Sequence, residues 1–391
     1  MNKFDVAIVG GGASGLACAV TLKRNNPKIS IAIIDACDRL GKKLAATGNG
    51  QGNVSNANLS PSRYHGGGEA LAEEIACKDY KLPLSLFNCL FETDEEGRVY
   101  PSGRQASALS DSLIREITDS SVTVINPAFV TDLQKGFVLT LSTGVKLRAE
   151  RVVLACGGKA QKQFKTDGSG YALAQKFGHS VTPLYPSLVQ LKTDTQYTKT
   201  LKGIRAQCRV TAYGKDYPNG KSPAFCGDVI FTEYGVSGNA IFKLSSYVAG
   251  RDNVTLSIEF LPFVSKESVE EDVRRKAALG YPPSELLSGT LHNQIGRAII
   301  KRAGDDPAAV ARTVKDFRLK VFGSLGFDYA QVTRGGVSVK DIGLDLQSKL
   351  VKNLYFAGEI IDVDGDCGGY NLNWAFASGM RVAESIISSL K

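Results

Sequence analysis

One short stretch near the start of the chain constrains its fold more than any other: Gly10-Gly11-Gly12-Ala13-Ser14-Gly15. It follows Phe4-Asp5-Val6-Ala7-Ile8-Val9, an apolar, β-branched run that reads as a buried parallel strand. A helical run to about Asn25 comes next, then a second apolar strand, Ile29 to Ile34. The glycines fit G-x-G-x-x-G. Gly10 permits the tight turn, Gly12 lets a pyrophosphate approach the backbone, and Gly15 lets the helix pack close on the strand. The helix start at Ala13 and Ser14 offers amides and partial positive charge to phosphate. Asp35 stands 20 residues after Gly15, where a carboxylate accepts hydrogen bonds from a ribose diol. A glycine-rich surface turn does not account for an acid at that distance. The expectation is a dinucleotide site.

At 391 residues the chain exceeds one ordinary core, so two or three domains are expected. No apolar run reaches the roughly 18 residues that span a bilayer. The first strand begins at Phe4, leaving no room for a signal peptide, and the expected compartment is the cytoplasm. Eight cysteines form no C-x-x-C pair, and there are only three histidines. A metal site or a disulfide framework is therefore not expected. Net charge is +8, but Lys and Arg are spread along the chain, which argues against nucleic acid as a partner.

The pattern along the chain is that of an α/β protein. Residues 36–58 lose hydrophobic period and carry Thr47-Gly48-Asn49-Gly50-Gln51-Gly52-Asn53, a long irregular loop expected over the cofactor. Residues 69–90 and 106–118 read as helices, and 129–147 as a meander. Arg151 to Leu154 returns as a buried strand ending in Ala155-Cys156-Gly157. Residues 187–263 alternate like an antiparallel sheet or small barrel, and 265–324 read as helical and polar. A late strand ends at Ala357-Gly358-Glu359. A glycine-rich loop over Asp362 to Asn371 then opens a final helix, Leu372 to Leu390. The expected architecture is a discontinuous Rossmann-like domain (1–186 and 331–391), an inserted β domain (187–263) and a small helical domain (264–330).

These three glycine marks together resemble the glutathione-reductase-like, two-dinucleotide-binding-domain flavoproteins. More narrowly, the chain resembles the BaiN-like (YhiN-like) FAD-dependent oxidoreductases, which include aminoacetone oxidase. The matching stretches are Arg39–Leu44, Thr47–Asn56, Gly97–Pro101, Phe231–Gly238, Thr333–Val337 and Leu354–Gly379. The resemblance implies non-covalent FAD and a three-domain fold. It implies cofactor contacts from Gly10, Gly12, Ala13, Ser14, Gly15, Asp35, Ala36, Lys42 and Lys43. Further contacts come from Thr47, Gly48, Asn49, Gly50, Asn53, Phe129, Ala155, Cys156 and Gly157, and from Gly358, Glu359, Asp362, Gly369, Tyr370, Asn371 and Leu372. The chain departs from the family at three places. Gly48-Asn49-Gly50-Gln51-Gly52-Asn53 lacks the usual Arg and Cys, Lys159-Ala160-Gln161-Lys162 replaces a Ser-Tyr-Pro stretch, and Glu233 replaces a His.

Two thiols in the loop after Asp35 would mark a disulfide reductase; residues 41–56 have none. No second strand–GxGxxG–helix unit is present, so either NAD(P)H docks transiently at the flavin as electron donor, or another donor or oxygen completes the cycle. The calcium-like Asp362-Val363-Asp364-Gly365-Asp366 lacks the later ligands of that motif. Tyr234, Glu233, Tyr370, Arg98 and Arg334 are the candidates for polarising a carbonyl or donating a proton. His65, His179 and His292 read as surface or helix residues. The expected activity is hydride transfer between flavin and a small organic substrate, with reduction of a conjugated C=C by NAD(P)H placed first. Amine oxidation with oxygen, an RNA-modifying flavoprotein and a non-catalytic flavin binder are the alternatives. Oligomeric state is not legible.

Overall fold

The computed structural model describes residues 1–390. The chain divides into two compact units, Met1–Tyr185 with Val332–Lys391, and Pro186–Gln331. In the first, β1 (Asn2–Val9) lies parallel to β2 (Ile31–Ile34) and to the strand Lys146–Leu154. The sheet order is Thr123–Ile125, β2, β1, Lys146–Leu154, Val138–Leu141, Val130–Gln134; Leu354–Phe356 also pairs with Lys146–Leu154, in parallel. Val6, Ala7, Ile8 and their neighbours on β2 are fully buried, as expected for a strand covered on both faces. Each large side chain so buried contributes about 2 kcal/mol. Two helices cross on this sheet: α1 (Ala13–Asn25) and the closing helix Tyr370–Ser389. They touch through Gly379, where a Cβ would stand 2.2 Å from the Ser14 carbonyl oxygen.

The second unit is a closed six-stranded barrel. Its order is Leu191–Thr193, Gly235–Ser237, Phe225–Phe231, Arg205–Tyr213, Thr255–Glu259, Phe317–Ser324, with the last strand returning to the first. The reading of 264–330 as a separate helical domain is corrected here. Phe317–Ser324 is a barrel strand, and the helices Lys266–Ala278, Asn293–Ala303 and Pro307–Lys315 share one core with the barrel. Residues 187–263 also contain a helix, Asn239–Val248, whose Ala240, Ile241 and Leu244 are buried in that core. Among the described residues no helix is long and apolar enough to cross a membrane.

Candidate functional site

The glycine turn separates two structural jobs. Gly10 has φ +111, and a Cβ there would lie 2.3 Å from the Ala155 carbonyl oxygen; one at Gly15 would lie 1.9 Å from the Gly10 carbonyl. Both glycines are demanded by backbone packing. Gly12 differs: its backbone is extended, and nothing lies within 4 Å of an added Cβ. An open cradle thus sits beside the first amides of α1, at Ala13, Ser14 and Gly15, which have no carbonyl partner within the helix. That is the space and polarity a pyrophosphate needs.

Asp35 closes one side of this cradle. Its Oδ2 accepts the Gly11 N–H at 2.6 Å and its Oδ1 accepts the Cys37 N–H at 2.7 Å. Burial pushes its carboxyl above the usual range, and these two donors pull it back. Ala36 is half-buried beside it. The Ala128 N–H donates to the Asp35 carbonyl at 2.8 Å, which brings Phe129, 52% exposed, to the same edge. Asp35→Ala leaves two backbone donors without a partner. It is expected to cost about 1–3 kcal/mol of stability, read as a lower Tm, and to weaken FAD in a direct titration.

The opposite wall comes from the late strand. Gly358 has φ +77, and its Cβ position is 2.5 Å from Ser14 Oγ. The Gly358 N–H donates to Ser378 Oγ at 2.9 Å, and Trp374 Nε1 donates to its carbonyl at 3.1 Å. Glu359 accepts from the Thr333 N–H at 2.8 Å and pairs with Lys43 at 2.9 Å. Lys42 instead pairs with Asp38. Gly157 takes φ +72 after Ala155 and Cys156, whose thiol burial pushes up to about 12. The Tyr171 hydroxyl is buried with no hydrogen-bond partner, and its proton is held by burial and by the nearby Glu359, Cys156 and Asp362. The open cradle at Gly12 and this orphaned hydroxyl both fit a polar cofactor such as FAD.

The closing helix forms the third side. Gly368 and Gly369 have φ +131 and +100, and a Cβ on Gly369 would lie 2.2 Å from the Ser55 carbonyl. Asparagines fasten this turn. Asn56 Nδ2 donates to the Gly368 carbonyl at 2.8 Å, and Asn371 clamps Gly365 through both N–H and C=O at 2.8 and 2.7 Å. The Asn53 amide donates to the Ser55 and Val99 carbonyls and accepts from the Gly369 N–H. Thr47 Oγ1 donates to the Leu44 carbonyl, Gly48 and Asn49 both take left-handed backbones, and Gly50 has open space around it. The first-turn amides of Tyr370, Asn371 and Leu372 lack carbonyl partners within the helix, giving this end partial positive charge.

The five catalytic candidates fare unevenly. Tyr370 is buried, edge-on to Tyr64, and its hydroxyl donates to the Asn58 carbonyl. Arg98 pairs with Asp94 and Glu96. Glu233, 70% exposed, pairs with exposed Lys202, and Tyr234 is half-buried in the second unit. Tyr370, Arg98 and Glu233 thus each hold a partner within the protein. Arg334 adjoins a buried acid: its Nε lies 3.9 Å from Asp364 Oδ1. Asp364 was not among the candidates. Its signal was the alternation Asp362-x-Asp364-x-Asp366, which the structure resolves as a strand, Val363–Gly365, paired with Tyr64–Gly66 rather than as a loop. Asp362 accepts from the Gly67 N–H at 3.3 Å, and burial raises its carboxyl. Of the three histidines, His65 and His179 are not the surface residues expected, whereas His292 is exposed at a helix end as expected. His65 and His179 are buried, His65 against Asp366 and His179 against Ser348; His292 caps a helix. Among the described residues no group of three or more His, Cys, Asp or Glu is arranged for a metal ion.

Comparison with known proteins gives four findings. The family model for the HI0933-like protein Rossmann domain matches residues 4–385. A 3-dehydro-bile acid delta(4,6)-reductase of Clostridium scindens is 33% identical over 405 residues, covering 97% of each chain. A ribosomal RNA dihydrouridine synthase of Escherichia coli is 26% identical over 418 residues, covering 100% of this chain and 99% of that one. Among solved structures, a 3-ketosteroid delta1-dehydrogenase of Sterolibacterium denitrificans matches over 100% of both chains with TM-score 0.52 at 13% identity, a likeness of fold alone.

Proposed function

The chain belongs to the HI0933-like Rossmann family of FAD-dependent oxidoreductases, and from that premise we propose that it reduces a carbon–carbon double bond conjugated to a carbonyl. One observation carries the reading: a relative named for reducing such a bond aligns over nearly the whole of both chains at 33% identity. The more distant ribosomal RNA relatives support the same chemistry, because dihydrouridine is uridine with its ring C=C, itself conjugated to a carbonyl, saturated. FAD, once bound and reduced by two electrons from NAD(P)H, would supply the hydride for the β-carbon of such a substrate, and a proton taken up from solvent would complete the α-carbon. The chain's own residues then have separable tasks. The amides beside Gly12 hold the pyrophosphate and Asp35 holds the ribose. The end of the closing helix sets a positive field beside the flavin's pyrimidine edge. Arg334 holds the substrate's carbonyl oxygen, favouring the charge that develops there. NAD(P)H is the donor in this reading, docking transiently because the chain has no second GxGxxG unit to hold it.

A uracil within RNA is the second reading, favoured by the full-length match to the dihydrouridine synthases. Anaerobic mixing of the yellow protein with NADH or NADPH, followed at about 450 nm, tests the donor. Adding a conjugated 3-oxo steroid, a saturated 3-oxo steroid or a uridine-containing RNA to the reduced protein tests the acceptor. We expect return of the yellow band with a conjugated acceptor only, and a product heavier by two hydrogens. Oxygen uptake with small amines and silence with every conjugated acceptor would overturn the proposal.

A further inference from the structure

Asp364 is the middle residue of the short strand Val363–Gly365, flanked by Asp362 and Asp366, and of the three only Asp364 lacks a donor. Asp362 accepts from the Gly67 N–H. Asp366 pairs with Arg63 at 3.2 Å and with His65 Nε2 at 2.7 Å. Asp364 is 1% exposed, and neither carboxylate oxygen has a hydrogen-bond partner. It lies opposite His65 in the strand pairing, with Arg334 Nε at 3.9 Å, beyond hydrogen-bond length. A buried carboxylate without a donor is costly, and residues of that kind cluster where a site needs them.

We propose that Asp364 is a positioning residue that, once ionised, draws the half-buried Arg334 guanidinium into place for the substrate's carbonyl oxygen. This rests on the reductase reading above. The charged groups around Asp364 are Arg334 from the neighbouring strand Val332–Arg334, His65 from the paired strand, and Asp362 and Asp366 from its own. Burial, chiefly, raises its carboxyl to about 6; Arg334 and His65 oppose, and the two aspartates add to the rise. The fold therefore favours the protonated form. Stability contributed by that proton is complete below the ordinary aspartate range and is lost as pH rises through about 6. Activity runs the other way, rising through the same window as the ion pair with Arg334 forms.

The test is a double-mutant cycle on FAD-loaded protein with D364N, R334M and the pair. D364N is isosteric and should raise Tm at pH about 8 while leaving it unchanged near pH 4. It should lower kcat/KM by about 10–100-fold at pH about 8 and abolish the limb near pH 6. In the R334M background D364N should add no further loss of kcat/KM. Survival of the limb in D364N, or activity losses that multiply across the cycle, would overturn the positioning role. Wild-type protein that turns over no conjugated acceptor would count against the reductase reading instead. The Tm cycle needs no substrate, and additive Tm effects there would overturn the Asp364–Arg334 pairing by itself.

Discussion

Gly12→Asp is expected to give a folded protein that does not hold FAD. The three motif glycines have different surroundings. At Gly10 and Gly15 an added Cβ would lie 2.3 and 1.9 Å from backbone oxygens, so substitution there damages the fold itself. At Gly12 the backbone is extended, within reach of any residue, and nothing stands within 4 Å of the new Cβ. An aspartate therefore fits the protein but fills the phosphate's place with a carboxylate. It also brings like charge to the pyrophosphate at the helix start. The loss should be at least about 3 kcal/mol of binding, or roughly 100-fold or more in Kd. FAD titration by fluorescence quenching reads it. The apo variant's circular dichroism and Tm should match those of the apo wild type. A Gly12→Asp protein that keeps its yellow colour through purification would place the cofactor elsewhere.

Gly379→Val is expected to have the largest effect on stability. Gly379 lies within the closing helix, where glycine is otherwise unfavourable by about 1 kcal/mol against alanine. It is retained because α1 passes against it: a Cβ would stand 2.2 Å from the Ser14 carbonyl, 3.0 Å from Ala17 Cβ and 3.1 Å from the Cys18 amide. Two of those atoms are backbone and cannot swing aside. Valine must push the two helices apart, and Ser14 and Gly358, which meet at this crossing, move with them. A cost of about 4 kcal/mol or more follows from overpacking of this kind. It should appear as a large fall in Tm or as insoluble expression. The same substitution at Gly50, whose surroundings are open, should be far milder, although its φ of +83 still strains valine.

The first unit was largely readable from residue order because its signals are local. A strand, a glycine turn, a helix and an acid within 35 residues each restrict backbone or charge in a way that side-chain type reveals. The second unit was less readable. Phe317–Ser324 follows three polar helices, and only its pairing with Thr255–Glu259 and Leu191–Thr193 makes it a barrel strand. The helix Asn239–Val248 sits among alternating strands, and its apolar face becomes evident only against the barrel core. Catalytic candidates were the hardest. Tyr370, Arg98 and Glu233 are reactive types near glycines, and their contacts with Asn58, Asp94 and Lys202 come into view in the structure. Asp94 stands only four residues from Arg98, but Asn58 and Lys202 reach their partners only through the fold. Asp364 was hidden for the opposite reason: its importance lies in lacking a hydrogen-bond partner, which only burial in three dimensions reveals.

A single turnover separates a reductase of conjugated ketones from an oxidase. Protein reduced anaerobically, without excess donor, is mixed with a ketone bearing a conjugated double bond, and the flavin band is followed at about 450 nm. The expected result is full return of the band, one saturated product per flavin, and no return with the same ketone already saturated. A band that stays bleached with every conjugated acceptor, including uridine in RNA, yet returns at once on admitting oxygen would contradict it.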